Sequence, residues 1–188
     1  MLPFPPRLRA PDYLSVNPLG TIPLLIDGAT RITESVAACQ FLAERHGPTS
    51  LVVRPDEADF GASLNWMSFG EATLTFPQAI VLRYRRFEAE RGLSAVADDY
   101  ARWFVSRLRA VDAALGEREF LCAGRFTVAD ISVGYALMLA EIGGFGERFS
   151  PTLLRYWQRL AERGAFRRAK DAQARAASEQ GVDTAWPG

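Results

Sequence analysis

The order of apolar and polar positions changes character at Gly47-Pro48. Before that point a short apolar run, Thr21-Ile-Pro-Leu-Leu-Ile26, is followed by Asp27-Gly28, a dipeptide suited to a tight hairpin because glycine accepts positive φ. Ala29 to Ile32 is the expected returning strand. Thr33-Glu34-Ser35 then offers capping hydroxyls and an acidic first turn, and Val36, Cys39 and Leu42 recur at helical spacing up to His46. This stretch predicts a hairpin followed by a helix.

After Pro55 the period is helical throughout. Phe60, Leu64, Met67, Glu71 and Leu74 share one face, and Pro77 predicts a kink or interruption before Ile80, Val81, Tyr84 and Phe87 resume. Val96, Tyr100, Trp103, Phe104, Leu108, Val111 and Leu115 form the stripe of an amphipathic helix that Gly116 ends. Trp66, Trp103 and Trp157 lie in such stripes and are expected in the core. From Thr127 to Ile142 the chain is apolar on nearly every face, as a buried central helix must be. Phe126-Thr127-Val128-Ala129-Asp130-Ile131 opens that helix with a capping box: Thr127 caps the Asp130 amide, Asp130 returns to the Thr127 amide, and Phe126 can staple onto Ile131. Shorter helices are expected from Pro151 to Arg163 and from Ala165 to Ser178.

Composition narrows the function classes. A chain of 188 residues with 48% hydrophobic content has enough apolar side chain to bury a sizeable core and is not disordered. Lys+Arg 22 against Asp+Glu 22 leaves no net charge, which removes the electrostatic footprint of a general nucleic-acid binder. No stretch approaches the ~18 consecutive apolar residues of a membrane span. Cys39, Cys122 and His46 are too few for a disulfide framework or the usual zinc sets, so no metal is expected and the cytoplasm is the expected setting. Arg83, Arg85 and Arg86 around Tyr84 read as a solvated helix face.

Candidate chemistry lies in Asn17-Pro18-Leu19-Gly20-Thr21-Ile22-Pro23-Leu24-Leu25. A proline at the start of an apolar strand is confined to edges, bulges or cis turns, because it donates nothing to the ladder. If Ile22-Pro23 is cis, the Ile22 amide and carbonyl turn outward, free to pair with an extended peptide. Ser35 sits at a helix N-terminus, where amides and hydroxyl suit a carboxylate, and Glu34 beside it can hold an ammonium. A carboxylate and an ammonium on one α-carbon satisfy both. By spacing alone, the same residues also read as an ordinary edge strand and helix cap.

Taken in order, Asn-Pro-Leu-Gly-x-Ile-Pro-Leu-Leu, Asp-Gly, Ile-Thr-Glu-Ser-x-Ala and the Phe-Thr-x-Ala-Asp-Ile box resemble the cytosolic glutathione transferase family, from about Asp12 to Phe166. The resemblance implies an α/β plus all-α fold: a thioredoxin-like, glutathione-binding domain over residues 1–47 and an all-helical domain over 48–188. It implies that Ile22 pairs with the cysteinyl backbone of glutathione and that Glu34 and Ser35 hold its γ-glutamyl end. It further implies a homodimer that conjugates glutathione, as co-substrate, to a small apolar electrophile. The same site serves a glutathione-dependent isomerase or dehalogenase, and the same fold serves a ligand-binding or interaction protein without turnover. In the family, a strand-helix-strand unit of about 30 or more residues precedes the Asn-Pro-x-Gly turn and carries the Ser, Tyr or Cys that activates the thiol. Only 16 residues precede Asn17. The expectation is therefore an N-terminally shortened member with a partial thioredoxin-like domain, no catalytic residue in this chain, and a proline-rich start that marks where a domain was cut. Tyr13 and Ser15 match the wrong segment and are not assigned.

Overall fold

Gly28 lets the chain double back. It takes φ 57° between β1 (Leu25–Asp27) and β2 (Thr30–Ile32), at the first central position of the loop, where a II′ hairpin needs glycine. The strands pair antiparallel, with Leu25 opposite Ile32, Ile26 opposite Arg31 and Asp27 opposite Thr30. The computed structural model describes residues 10–182, and the proline-rich start lies outside them. Among the described residues this pair is the whole sheet. A single helical turn, α1 (Tyr13–Val16), precedes the hairpin, and α2 (Ser35–Arg45) follows it with Ala38 and Ala43 buried.

Contacts divide the chain into two units. One combines the described parts of residues 1–47 and 162–188; the other is Pro48–Ala161. The second unit begins with a long helical run in which α3 (Phe60–Ser68) and α4 (Phe76–Leu82) are joined by a wide turn, Phe69–Thr75, and followed by another, Arg83–Phe87. Pro77 does not interrupt this run. It sits in the first turn of α4, and the preceding wide turn, in which the Thr75 hydroxyl donates to the Gly70 carbonyl at 2.9 Å, accommodates its missing N–H. Behind it, the Gln78 side-chain amide donates to the carbonyls of Leu74 and Ala136, both at 3.0 Å.

The next helix, α5 (Ser94–Leu115), buries Ala97, Ala101, Phe104, Leu108, Val111 and Leu115. Trp103 falls one position off that face and is 48% exposed, its ring stacked on Tyr100 at 5.5 Å. The apolar stripe of α5 is wider than its buried face, so Trp103 is not in the core, whereas Trp157 is. The central helix α6 (Val128–Ile142) packs against α3, the Phe69–Thr75 turn and α7 (Pro151–Ala161), which accounts for its apolar circumference. Its capping box is formed, with the Thr127 amide donating to Asp130 Oδ2 at 2.8 Å. Phe126 meets the ring of Phe120, edge to face at 6.2 Å. The last helix, α8 (Gly164–Glu179), is mostly exposed and groups with the first unit. Among the described residues no helix is long and apolar enough to cross a membrane.

The loop ahead of α3 is clamped to the start of α6. Arg125 forms a two-pronged bond to Glu57 at 2.7 and 2.8 Å, and the same guanidinium donates to the carbonyls of Ser50 and Val52. These bonds to the ionised carboxylate, with one from the Arg54 amide, hold the Glu57 carboxyl down at about 2. A carboxylate whose folded pKa is depressed stabilises the fold above its ordinary value of 4.5, and that stability drains away as pH falls toward about 2. Glu57→Gln is therefore expected to flatten the acid limb of a plot of Tm against pH over that window. A variant limb parallel to that of the unaltered protein refutes the clamp.

Candidate functional site

Asn17 organises the loop that carries Ile22. The turn Asn17-Pro18-Leu19-Gly20 has asparagine first, proline second and glycine fourth, and it closes with the Gly20 amide donating to the Asn17 carbonyl at 2.9 Å. The Asn17 side chain, 4% exposed, works in both directions: its oxygen accepts from the Leu19 amide at 3.2 Å, and its amide donates to the Thr21 carbonyl at 2.8 Å. Tyr13 Oη donates to that same carbonyl at 2.7 Å, and Ser15 Oγ to the Asp12 carbonyl at 2.7 Å. Both hydroxyls are thus engaged in holding α1 and the turn. From the other side, Arg31 of β2 donates to the Val16 carbonyl at 3.0 Å, tying the turn to the hairpin.

With its neighbour fixed on both sides, Ile22 is 50% exposed and its peptide bond to Pro23 is cis. Among the described residues its main-chain N–H and C=O have no partner. Glu34, exposed and extended at φ −97° and ψ 124°, leads into α2, whose first residue is Ser35. The hairpin register relates the two segments. Leu25 faces Ile32, so the residues just before Leu25 and just after Ile32 leave the sheet at the same end. Ile22, Glu34 and Ser35 are therefore brought to one end of the hairpin, opposite its Gly28 turn. Glu34 accepts no side-chain capping role; the first turn of α2 presents its backbone amides unshielded by a cap from Glu34.

Comparison with known proteins gives this arrangement a context. The sequence model described as "Glutathione S-transferase, N-terminal domain" matches residues 2–45, a span that includes the Asn17 turn, Ile22, Glu34 and Ser35. Glutathione S-transferase 2 of Anopheles gambiae is 29% identical over 139 residues, covering 73% of this chain and 64% of that protein. Glutathione S-transferase GstA of Escherichia coli O157:H7 is 26% identical over 163 residues, covering 86% and 78%. A glutathione transferase of Phanerochaete chrysosporium, URE2P6, solved in complex with oxidized glutathione, is 27% identical and superposes with a TM-score of 0.76 over 88% of this chain and 79% of that one. The chain resembles glutathione S-transferases in its N-terminal sequence model, in its relatives and in its fold. It spans just under two thirds of the mosquito relative's length.

In this glutathione S-transferase homologue the hairpin and α2 represent a partial thioredoxin-like domain, and α3 to α7 belong to a helical C-terminal domain. Neither cysteine is set up as a nucleophile: burial pushes the thiols of both Cys39 and Cys122 up, toward the protonated form. Among the described residues no group of His, Cys, Asp and Glu side chains is placed to hold a metal ion. The Asn17 side-chain amide fixes Thr21 and, through it, Ile22, a role that the Asn-Pro-Leu-Gly pattern does not itself state. An asparagine at the head of such a turn signals the bond from the amide two residues on, here Leu19, but not the reach of its own amide to Thr21.

Proposed function

We propose that this glutathione S-transferase homologue binds glutathione through the Ile22 main chain, Glu34 and Ser35, and that the whole protein conjugates the glutathione thiolate to small apolar electrophiles. The observation that carries the reading is the convergence of an unpaired main-chain segment and a helix start at one end of the hairpin. Ile22 supplies an N–H and a C=O for an extended peptide, in the manner of an added strand. The start of α2 offers the Ser35 hydroxyl and the first-turn backbone amides to the γ-glutamyl carboxylate, and Glu34 offers a carboxylate to the ammonium on the same carbon. In the conjugation the thiolate sulfur forms a bond to the electrophilic carbon and the leaving group departs with its electron pair. A homodimer in the cytoplasm is the form proposed for the whole protein. Support comes from the family and from the Phanerochaete chrysosporium relative solved with oxidized glutathione.

Ser35→Ala is expected to weaken glutathione binding about ten-fold, the effect of one charge-assisted hydrogen bond. Calorimetric titration with glutathione measures it, and unchanged affinity overturns the assignment of Ser35. Retention on immobilised glutathione with turnover of 1-chloro-2,4-dinitrobenzene supports the conjugating enzyme. Retention without turnover favours a ligand-binding or interaction protein on the same fold, and turnover confined to other thiol-dependent reactions favours the isomerase or dehalogenase.

A further inference from the structure

Two side chains converge on the carbonyl just ahead of Ile22. Tyr13 Oη donates to the Thr21 carbonyl at 2.7 Å, and Asn17 Nδ2 donates to it at 2.8 Å. The two residues stand four apart across the single turn of α1 and so share a face, and the Asn17 main-chain amide closes that turn on the Tyr13 carbonyl at 2.8 Å. Asn17 Nδ2 also lies 3.4 Å from Tyr13 Oη and 3.4 Å from Thr21 Oγ1. A phenol oxygen that accepts from Asn17 still has one proton to give, and Thr21 receives it.

A carbonyl oxygen has two lone pairs, and these two bonds use both. The Thr21–Ile22 peptide is trans, so its N–H lies in the plane of its C=O and points the opposite way. Holding the carbonyl with two donors therefore fixes the direction of the Ile22 N–H, away from Tyr13 and Asn17, where it has no partner among the described residues. With one bond removed the plane can rock, because the torsions on either side of it are soft. Thr21 and Ile22 are both exposed, so the packing of their side chains does not hold the plane instead.

We infer that Tyr13 is a positioning residue for glutathione: with Asn17 it holds the Thr21 carbonyl and so aims the Ile22 N–H at the cysteinyl carbonyl of the bound tripeptide. The inference rests on the glutathione reading above and adds to it the side chain that orients the donor. Tyr13 acts through the peptide plane and takes no part in activating the thiol.

Calorimetric titration of the full chain with glutathione, paired with amide hydrogen exchange at Ile22 followed by NMR, tests the inference. In the unaltered chain, saturating glutathione is expected to slow exchange of the Ile22 amide about ten-fold, because an N–H bonded to the ligand is withheld from water. Tyr13→Phe keeps the ring and removes only the hydroxyl. It is expected to weaken glutathione binding about five-fold, the effect of one neutral hydrogen bond, and to reduce the protection of Ile22 at equal saturation by a similar factor. Ser35→Ala, which acts at the γ-glutamyl end, is expected to weaken binding and leave the protection of Ile22 at saturation intact. A Tyr13→Phe variant that binds glutathione like the unaltered chain overturns the inference. So does a weaker complex in which Ile22 stays fully protected, since the phenol then acts on the fold and not on the N–H. An unprotected Ile22 amide in the unaltered complex overturns it without any variant. Failure of the unaltered chain to bind glutathione overturns the glutathione reading and this inference with it, whereas binding that Ser35→Ala weakens and Tyr13→Phe does not overturns this inference alone.

Discussion

Asp130→Ala is expected to lower stability by about 4 kcal/mol, at the severe end of single substitutions. The Asp130 carboxylate is fully buried and gathers four donors from three parts of the chain. The Thr127 amide and hydroxyl reach Oδ2 at 2.8 and 3.2 Å, while the Leu121 amide and the Tyr156 hydroxyl reach Oδ1 at 3.1 and 2.8 Å. Alanine would strand these donors in the core, and each orphaned buried group costs ~1–3 kcal/mol because no water reaches it. Burial pushes the Asp130 carboxyl above its ordinary value, and the donors pull it back down without cancelling the rise. The same burial, with the carboxylate beside it, holds the Tyr156 phenol well above its usual range. Asn at position 130 does not rescue the site, because its NH2 would face donors where an oxygen now accepts. Tyr156→Phe removes a single donor and leaves the rest of the cap paired, so it should cost about 1 kcal/mol. Chemical denaturation of the three variants tests the ranking; an Asp130→Ala cost below that of Tyr156→Phe contradicts the shared-acceptor account.

Gly70→Ala is expected to cost about 3 kcal/mol. Here the wide turn after α3 lies directly on α6: a Cβ at residue 70 would overlap the Ser132 hydroxyl and stand 2.7 and 2.9 Å from the Ser132 carbonyl carbon and oxygen. The obstructing atoms belong to a helix backbone and cannot swing aside. The bond from Ser132 Oγ to the Met67 carbonyl, 2.7 Å long, would be disrupted as well. Gly134 on α6 provides the control. A Cβ there meets only the tip of Leu160, Cδ1 at 2.9 Å, which can rotate, and alanine is the better helix former by ~1 kcal/mol. Gly134→Ala should therefore be close to neutral. Thermal unfolding of both variants measures the difference, and equal losses would show that close backbone approach is not what position 70 requires. Adding Ser132→Ala to Gly70→Ala should restore little, since the backbone carbonyl remains in the way.

Much of the architecture was legible because it rests on neighbours in sequence. The hairpin at Asp27-Gly28 needs only a glycine at the right loop position, and the capping box at Thr127 and Asp130 closes over three residues. The buried faces of α5 and α6 follow from helical period, because burial acts on whatever face the period assembles. The same rule misplaced Trp103, since periodicity marks a stripe but not its buried width. Pro77 was read as a kink or interruption because the local rule treats a missing N–H as a break in the ladder; the wide turn before it lets the helical run continue.

The sequence by itself determined the order of the elements, the Asn17 turn and the residue types offered at Ile22, Glu34 and Ser35, all of which depend on contacts within a few positions along the chain. Only the tertiary structure decided that Asp130 is shared with Tyr156, that Arg125 clamps Glu57, and that Gly70 is held against Ser132. Each of these pairs groups that are distant in sequence, and no local pattern encodes a partner; the packing of helices chooses it, because a close-packed interior leaves each buried charge, donor or missing side chain only the neighbours that the other elements bring.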